Sequence, residues 1–226
     1  MIVHKQHDML EYYLRGDNPQ ILFLSGMHGD EYESGAILEE FIKKQREHLP
    51  EFLYIPRVSP SAVSSGSRLN AYGNDINRQF DSVTQDKEAL NVMRLLSKYS
   101  FDLVLDIHED PEQKDAFYLY DSGGMSASEL ETYKTCVQST TCDLFTGIDD
   151  PGDTTLGCTI EEGYYSFRPN WKHDGSVDEG FSSKWMIRNG IAKRVFTLEI
   201  PGKAKALLKQ SLVEQVVPFL MSTFGI

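Results

Sequence analysis

The sequence predicts an α/β fold: a mixed, mainly parallel sheet with helices on both faces. Two observations carry that prediction. Short unbroken apolar runs, "ILFL" at 21–24 and the start of "LVLDIH" at 103–108, read as strands buried on both sides, because a strand with one face in water would alternate. Between such runs lie stretches with a 3.6-residue apolar period, so strand alternates with helix, as parallel strands joined by crossovers require. At 226 residues the chain suits one sizeable core, and we expect a single domain over 1–226.

Taken in order, "QILFLSG" is a buried strand, and "EYESGAILEEFIKKQREHL" is an amphipathic helix with its apolar side at Ile37, Leu38 and Phe41. "FLYIPRVSP" is the next strand, expected to stop at Pro60. A loop rich in Ser and Gly precedes the helix "KEALNVMRLLSKY", and "FDLVLDIHED" is another buried strand. From 121 to 190 the pattern weakens into Gly, Ser, Asp and Tyr around one helix, "ASELETYKTCVQSTTCDLF"; loops of that length in a compact domain are usually functional or mobile. "AKRVFTLEIPG" restores a strand, and "KAKALLKQSLVEQVVPFLMSTF" closes the chain as a helix.

The charge excludes some partners. With 34 acidic against 22 basic residues and no basic stripe, nucleic acid and anionic membrane surfaces are poor matches, since phosphate binding needs clustered Lys and Arg. The start, "MIVHKQHDMLEYYLRG", lacks the basic then apolar pattern of an export signal, and no run reaches the length of a membrane span. A cytoplasmic location is expected. Three cysteines, Cys136, Cys142 and Cys158, lack CxxC spacing and read as free thiols.

Three candidate metal ligands fall at the carboxyl ends of expected strands: His28 and Glu31, three residues apart after the first, and His108 ending "LVLDIH". Ligands of open α/β sheets bind at that edge. Two histidines and a carboxylate, with a position left for water, form the catalytic type of zinc site. Each piece alone is weak, because a lone histidine after a strand is more often a hydrogen-bonded loop residue. Arg68, Asn77 and Arg78 lie in a polar loop between these strands, "SRLNAYGNDINRQF". Arginine is a planar donor suited to carboxylates and oxyanions, though an isolated one in so acidic a chain equally suits surface ion pairing. Asp149, Asp150 and Asp153 lack the ligand order of a calcium loop and read as a solvated turn.

Four motifs in order, "HGDE", "GNDINRQF", "DIH" and "TLEIPG", resemble the zinc carboxypeptidase clan, which includes aspartoacylase and succinylglutamate desuccinylase. The resemblance runs from about residue 20 to residue 202. It implies a carboxypeptidase-like fold with one zinc ion held by His28, Glu31 and His108. It further implies that Arg68 polarises the scissile carbonyl, that Asn77 and Arg78 grip a substrate carboxylate, and that Glu199 is the general base. Tyr164, Tyr165 and His173 lie where carboxypeptidases place a tyrosine that closes on the substrate.

Within the clan the run "VSPSAVSSGSRLN" is similar to that of the aspartoacylase and desuccinylase branch, although Ser59 stands where asparagine is usual. The helix that follows Glu199 within the last 27 residues looks more like a peptidase, since that branch typically adds a C-terminal β domain. The implied activity is hydrolysis of an amide bond in a small peptide with a free carboxylate. The alternatives are an N-acyl amino acid deacylase and a carboxylate-binding protein without turnover.

Overall fold

The computed structural model describes residues 2–7, 9–149, 158–167 and 180–226. Its strands are β1 (Ile2–His7), β2 (Leu10–Arg15), β3 (Ile21–Leu24), β4 (Phe52–Ile55), β5 (Leu103–Asp110), β6 (Ala116–Asp121), β7 (Asp143–Leu144), β8 (Gly147–Ile148), β9 (Thr159–Ile160), β10 (Tyr164–Ser166) and β11 (Val195–Pro201). Its α-helices are α1 (Glu33–Gln45), α2 (Pro60–Ser65), α3 (Lys87–Leu96), α4 (Ala127–Gln138), α5 (Ser182–Arg188) and α6 (Ala206–Thr223). Nine strands form one sheet in the order β1-β2-β4-β3-β5-β11-β6-β10, with β7 beside β6, while β8 and β9 pair separately. The centre β4-β3-β5-β11 is parallel. Antiparallel pairing enters at β2 against β4, in the β1–β2 hairpin, and where β6 meets β11. This is the mixed, mainly parallel sheet that the sequence predicts.

Side-chain alternation sorts the central strands between two cores. Phe23, Leu105, Leu119 and Phe196 face one side, where Leu38 and Phe41 of α1, Tyr133 of α4 and Val213 and Val217 of α6 cover them. Leu22, Leu24, Val104 and Val195 face the other, under Val92 and Leu95 of α3 and Trp185 and Met186 of α5. With helices on both faces, central strands stay apolar on both sides.

Several elements depart from the sequence reading. β4 ends at Ile55, and Pro60 begins α2 instead of stopping a strand. Proline suits the first helical position, where its missing N–H costs nothing, and the Ser59 side chain caps the helix by accepting from Ala62 N. α4 starts at the Ser126/Glu129 capping box but ends at Gln138; the following "STTCDLF" leaves the helix, Thr141 taking a φ of 67°. The helical pattern at the end of the chain does hold, and α6 runs through Pro218. The β1–β2 hairpin and β6 had no counterpart in the pattern. Cys136, Cys142 and Cys158 are free thiols. Among the described residues no helix is long and apolar enough to cross a membrane.

Candidate active site

The two central strands β5 and β11 change character along one face. On β5 the residues Val104, Asp106 and His108 share a face, and on β11 so do Val195, Thr197 and Glu199. The apolar member of each set lies in the α3/α5 core, and the polar members come next, toward the carboxyl ends. Parallel register sets Glu199 beside His108 and Thr197 beside Asp106. Antiparallel register on the other edge of β11 sets Glu199 beside Tyr118 and Thr197 beside Tyr120. Three strands therefore present one polar row, His108, Glu199 and Tyr118, to a cavity of about 310 Å³.

The turn after β3 completes the cluster. Gly26 has a φ of +65°, which suits glycine, and at Gly29 a Cβ would lie 1.9 Å from the carbonyl oxygen of Ala62. The turn thus rests directly on α2, with His28 and Glu31 buried beneath it. Nδ1 of His28 lies 2.8 Å from Glu31 Oε1, and Nδ1 of His108 lies 3.0 Å from Glu31 Oε2. Donor atoms of all three residues lie within 4.8 Å of one another.

The other nitrogen of each histidine faces a carboxylate. His28 Nε2 donates to Asp75 Oδ1 at 3.0 Å, and His108 Nε2 lies 3.5 Å from Asp106 Oδ1. A ring oriented by an outer carboxylate, with its inner nitrogen turned to a shared point, is the usual arrangement of a metal-ligating histidine. Both atoms of the Asp106–His108 contact are buried without a hydrogen bond. The donor set fits a divalent cation well.

Electrostatics point the same way. Burial pushes His28 down, but Asp75 and Glu31 outweigh it and the ring is held above its ordinary value. Burial likewise lowers His108, against the stronger pull of Asp106 and Glu31, so it too is raised. Glu31 is held well below the usual carboxylate range, because hydrogen bonds from His108 and His28 overcome its burial. The pocket collects positive charge around one carboxylate, as protons on histidine or as a cation in their place. Glu199 shows the opposite shift: burial raises it, the carboxylates of Glu31, Asp149 and Asp110 add to that, and His108 only partly opposes them.

The arginine-bearing loop forms one flank. Arg68 pairs with Glu31 at 3.1 Å and Asp75 at 2.9 Å, so its guanidinium is tied to the cluster and not to a surface network. Asp75 also accepts from Asn77 N at the start of a 3₁₀ turn, Ile76–Arg78. Asn77 Oδ1 accepts from Ser182 N at 3.0 Å, which fixes the amide orientation and leaves its NH₂ as a donor. The Arg78 guanidinium lies 4.1 Å from the Phe181 ring centre, and Lys184 lies over the same ring at 4.9 Å. Arg68, Asn77, Arg78, Phe181 and Lys184 all line the cavity.

The structure thus brings His28, Glu31, His108, Arg68, Asn77, Arg78 and Glu199 to one cavity. Tyr165 also lines it, whereas the Tyr164 hydroxyl is engaged with Asp121. His173, Asp150 and Asp153 lie outside the described residues. Asp149 is no solvated turn: it lines the cavity and accepts from Tyr118 and Tyr120, because β6 directs both phenols there. Sequence reasoning missed Asp75, Asp106 and Lys184. For Asp106 a signal existed, since an Asp two residues before a strand histidine shares its face.

The model of the succinylglutamate desuccinylase/aspartoacylase catalytic domain matches residues 17–134. An N-alpha-acetyl-L-2,4-diaminobutyric acid deacetylase from Halomonas elongata is 32% identical over 101 residues, which make up 42% of this chain and 29% of that protein. The match therefore spans under a third of that relative's length. Among solved structures, a candidate metallopeptidase from Shewanella denitrificans has a TM-score of 0.74 at 19% identity, covering 98% of this chain and 84% of the other. A succinylglutamate desuccinylase from Silicibacter sp. TM1040 has a TM-score of 0.60 at 15% identity, covering 96% of this chain and 61% of the other. At those identities the likeness is one of fold.

Proposed function

The chain belongs to the succinylglutamate desuccinylase/aspartoacylase catalytic-domain family, and we propose that it is a zinc-dependent hydrolase of the amide bond in an N-acylated amino acid whose carboxylate is free. The acyl group is either a short acid, which is deacylation, or the remainder of a small peptide, which is carboxypeptidase action. One observation carries the reading: the donor atoms of His28, Glu31 and His108 converge beside Glu199, with Arg68, Asn77 and Arg78 on one flank.

A zinc ion on His28, Glu31 and His108 would supply Lewis acidity, polarising a carbonyl and making a water acidic enough to lose its proton near neutral pH. Glu199 takes that proton and delivers it to the leaving nitrogen, a role suited to a carboxylate enclosed beside the ligands without being one of them. Arg68 faces the charge that develops on the carbonyl oxygen, held for the task by Asp75. The NH₂ of Asn77 and the guanidinium of Arg78 orient the substrate carboxylate.

The short-acyl reading draws on the family and on the Halomonas deacetylase. The peptide reading draws on the aromatic residues that line the cavity, Tyr118, Tyr120, Phe145 and Tyr165, a surface suited to a larger acyl group. Both are tested by stripping the protein with a chelator, restoring zinc, manganese or cobalt singly, and following amine release from N-acyl amino acids and peptides with free C-termini. Release that depends on the metal and on the free carboxylate supports the proposal. Stoichiometric metal binding without turnover of any substrate would make the chain a carboxylate-binding protein.

A further inference from the structure

α5 begins without a cap of its own. Its first residue, Ser182, follows Phe181, whose side chain accepts no hydrogen bond, so the N–H groups of the first turn need acceptors from elsewhere. One acceptor comes from 105 positions away: Ser182 N donates to Asn77 Oδ1 at 3.0 Å. The two residues before Ser182 hold the same loop. Gly180 has a φ of +72°, and a Cβ there would lie 2.1 Å from the carbonyl oxygen of Arg78. Its own carbonyl accepts from Phe80 N at 2.9 Å. Phe181 then sets its ring 4.1 Å from the Arg78 guanidinium. Three successive residues thus clasp the turn that carries Asn77 and Arg78.

The Ser182 hydroxyl makes a separate contact, donating to Asp106 Oδ2 at 3.3 Å. Both residues are buried. Among the described residues this is the one hydrogen bond that the Asp106 carboxylate receives. Its Oδ1 has none, and neither has the His108 Nε2 that lies 3.5 Å from it. A buried carboxylate with a single donor takes its orientation from that donor, since turning away would leave it unpaired. The way in which Asp106 faces His108 is therefore set by Ser182.

We propose that Ser182 is a positioning residue for both halves of the site: its N–H fixes Asn77 for the substrate carboxylate, and its hydroxyl fixes Asp106, and through it the His108 ring, for the metal. Ser182 is not among the residues that line the cavity, so it acts through Asn77 and Asp106. This rests on the hydrolase reading above for its purpose, though not for its test. Because one task belongs to a backbone atom and the other to the side chain, the two are removed separately.

Zinc affinity, from competition with a chromogenic chelator, reads one half. Calorimetric titration of the zinc-loaded protein with hippurate and with its amide, hippuramide, reads the other. Ser182→Ala removes the hydroxyl and keeps the N–H. Its zinc affinity should fall about tenfold, the lower end for outer partners of metal-ligating histidines, while the preference for hippurate over hippuramide stays. Ser182→Pro removes both groups, yet proline suits a first helical position and the extended Phe181 before it. That variant should match Ser182→Ala in zinc affinity and lose most of the hippurate preference. In an Asp106→Asn background, Ser182→Ala should weaken zinc no further. A merely structural serine would lower both readings together in Ser182→Ala, or add its loss to that of Asp106→Asn. Either result, an unchanged zinc affinity in Ser182→Ala, or a wild type that binds hippurate and hippuramide equally, would overturn the proposal. Should Ser182→Pro fail to fold, Ser182→Ala and the Asp106→Asn pair decide by the same criteria. Absence of hydrolysis across N-acyl amino acids and peptides would sink the hydrolase reading, with the two binding measurements still deciding Ser182.

Discussion

Glu199 and Asp75 are two carboxylates of one site pushed in opposite directions, and each shift can be tested by one substitution. Glu199 has no hydrogen-bond donor among the described residues and is raised mainly by burial. If it is a base and not a ligand, Glu199→Gln keeps its metal while kcat falls by about 10²-fold or more. Elemental analysis beside steady-state rates checks this, and a variant that loses its metal would make Glu199 a ligand. For Asp75, burial is outweighed by His28 and Arg68, which hold it well below its ordinary value. A depressed carboxylate contributes stability that is fully present above its unfolded pKa of about 4 and is lost as pH falls below it. Denaturant titrations of metal-free protein should therefore show wild type losing more stability between pH 6 and pH 2.5 than Asp75→Asn. Parallel losses would mean that the Asp75 contacts do not form in solution. At this scale the sequence pointed to the residues able to coordinate, because HxxE and the strand-ending histidine are local patterns. Asp75 was invisible as a partner of His28, lying 47 positions away.

Among the elements, α6 has a second task besides covering the sheet. Lys209 is 1% exposed and reaches Glu109 on β5 at 2.6 Å and Glu33 at the start of α1 at 2.6 Å. Glu109 also accepts from Ser34 N, so one buried ion pair joins α6, the first turn of α1 and the residue after His108. Glu33 is largely exposed and its share is small. Lys209→Met should cost about 3–5 kcal/mol, because Glu109 would be left buried without its partner. Adding Glu109→Leu should recover much of that loss, since a buried pair replaced by apolar groups is often close to neutral. Chemical denaturation of the two singles and the double gives the coupling, and additive effects would remove the pair from the account of stability. The sequence predicts the helix but not the lysine's burial, as an amphipathic pattern counts every Lys as solvent-facing. Pro60 misled for a related reason: proline marks a boundary, and whether it ends one element or begins the next depends on the cap residue before it.

For the molecule as a whole, the loop that brings Arg68, Asn77 and Arg78 to the cavity bears on which substrate fits. Arg78 lies over Phe181 and carries the expectation of a carboxylate grip. Amidating the substrate's free carboxylate should lower kcat/KM by about 2–4 kcal/mol in the wild type, because a desolvated arginine would lose its charged partner. Arg78→Ala should lose most of the discrimination between acid and amide. Four values of kcat/KM form a double-mutant cycle, and a coupling near zero would return Arg78 to a structural role.

The amino-acid sequence by itself determined the α/β class, the central strands, the long helices and the family motifs. All of these are written in short windows, as a period of two or 3.6 or as fixed spacing along one turn. Tertiary structure alone decided that β11 lies between β5 and β6, so that Glu199 is flanked by His108 and Tyr118. It also decided that Asp149 turns inward to two phenols instead of facing water. Strand order and register arise from long-range pairing, in which residues some eighty or ninety positions apart become neighbours through backbone hydrogen bonds that carry no side-chain signature. A local pattern can show that a strand ends in histidine or glutamate; only the assembled sheet decides which side chains stand beside it.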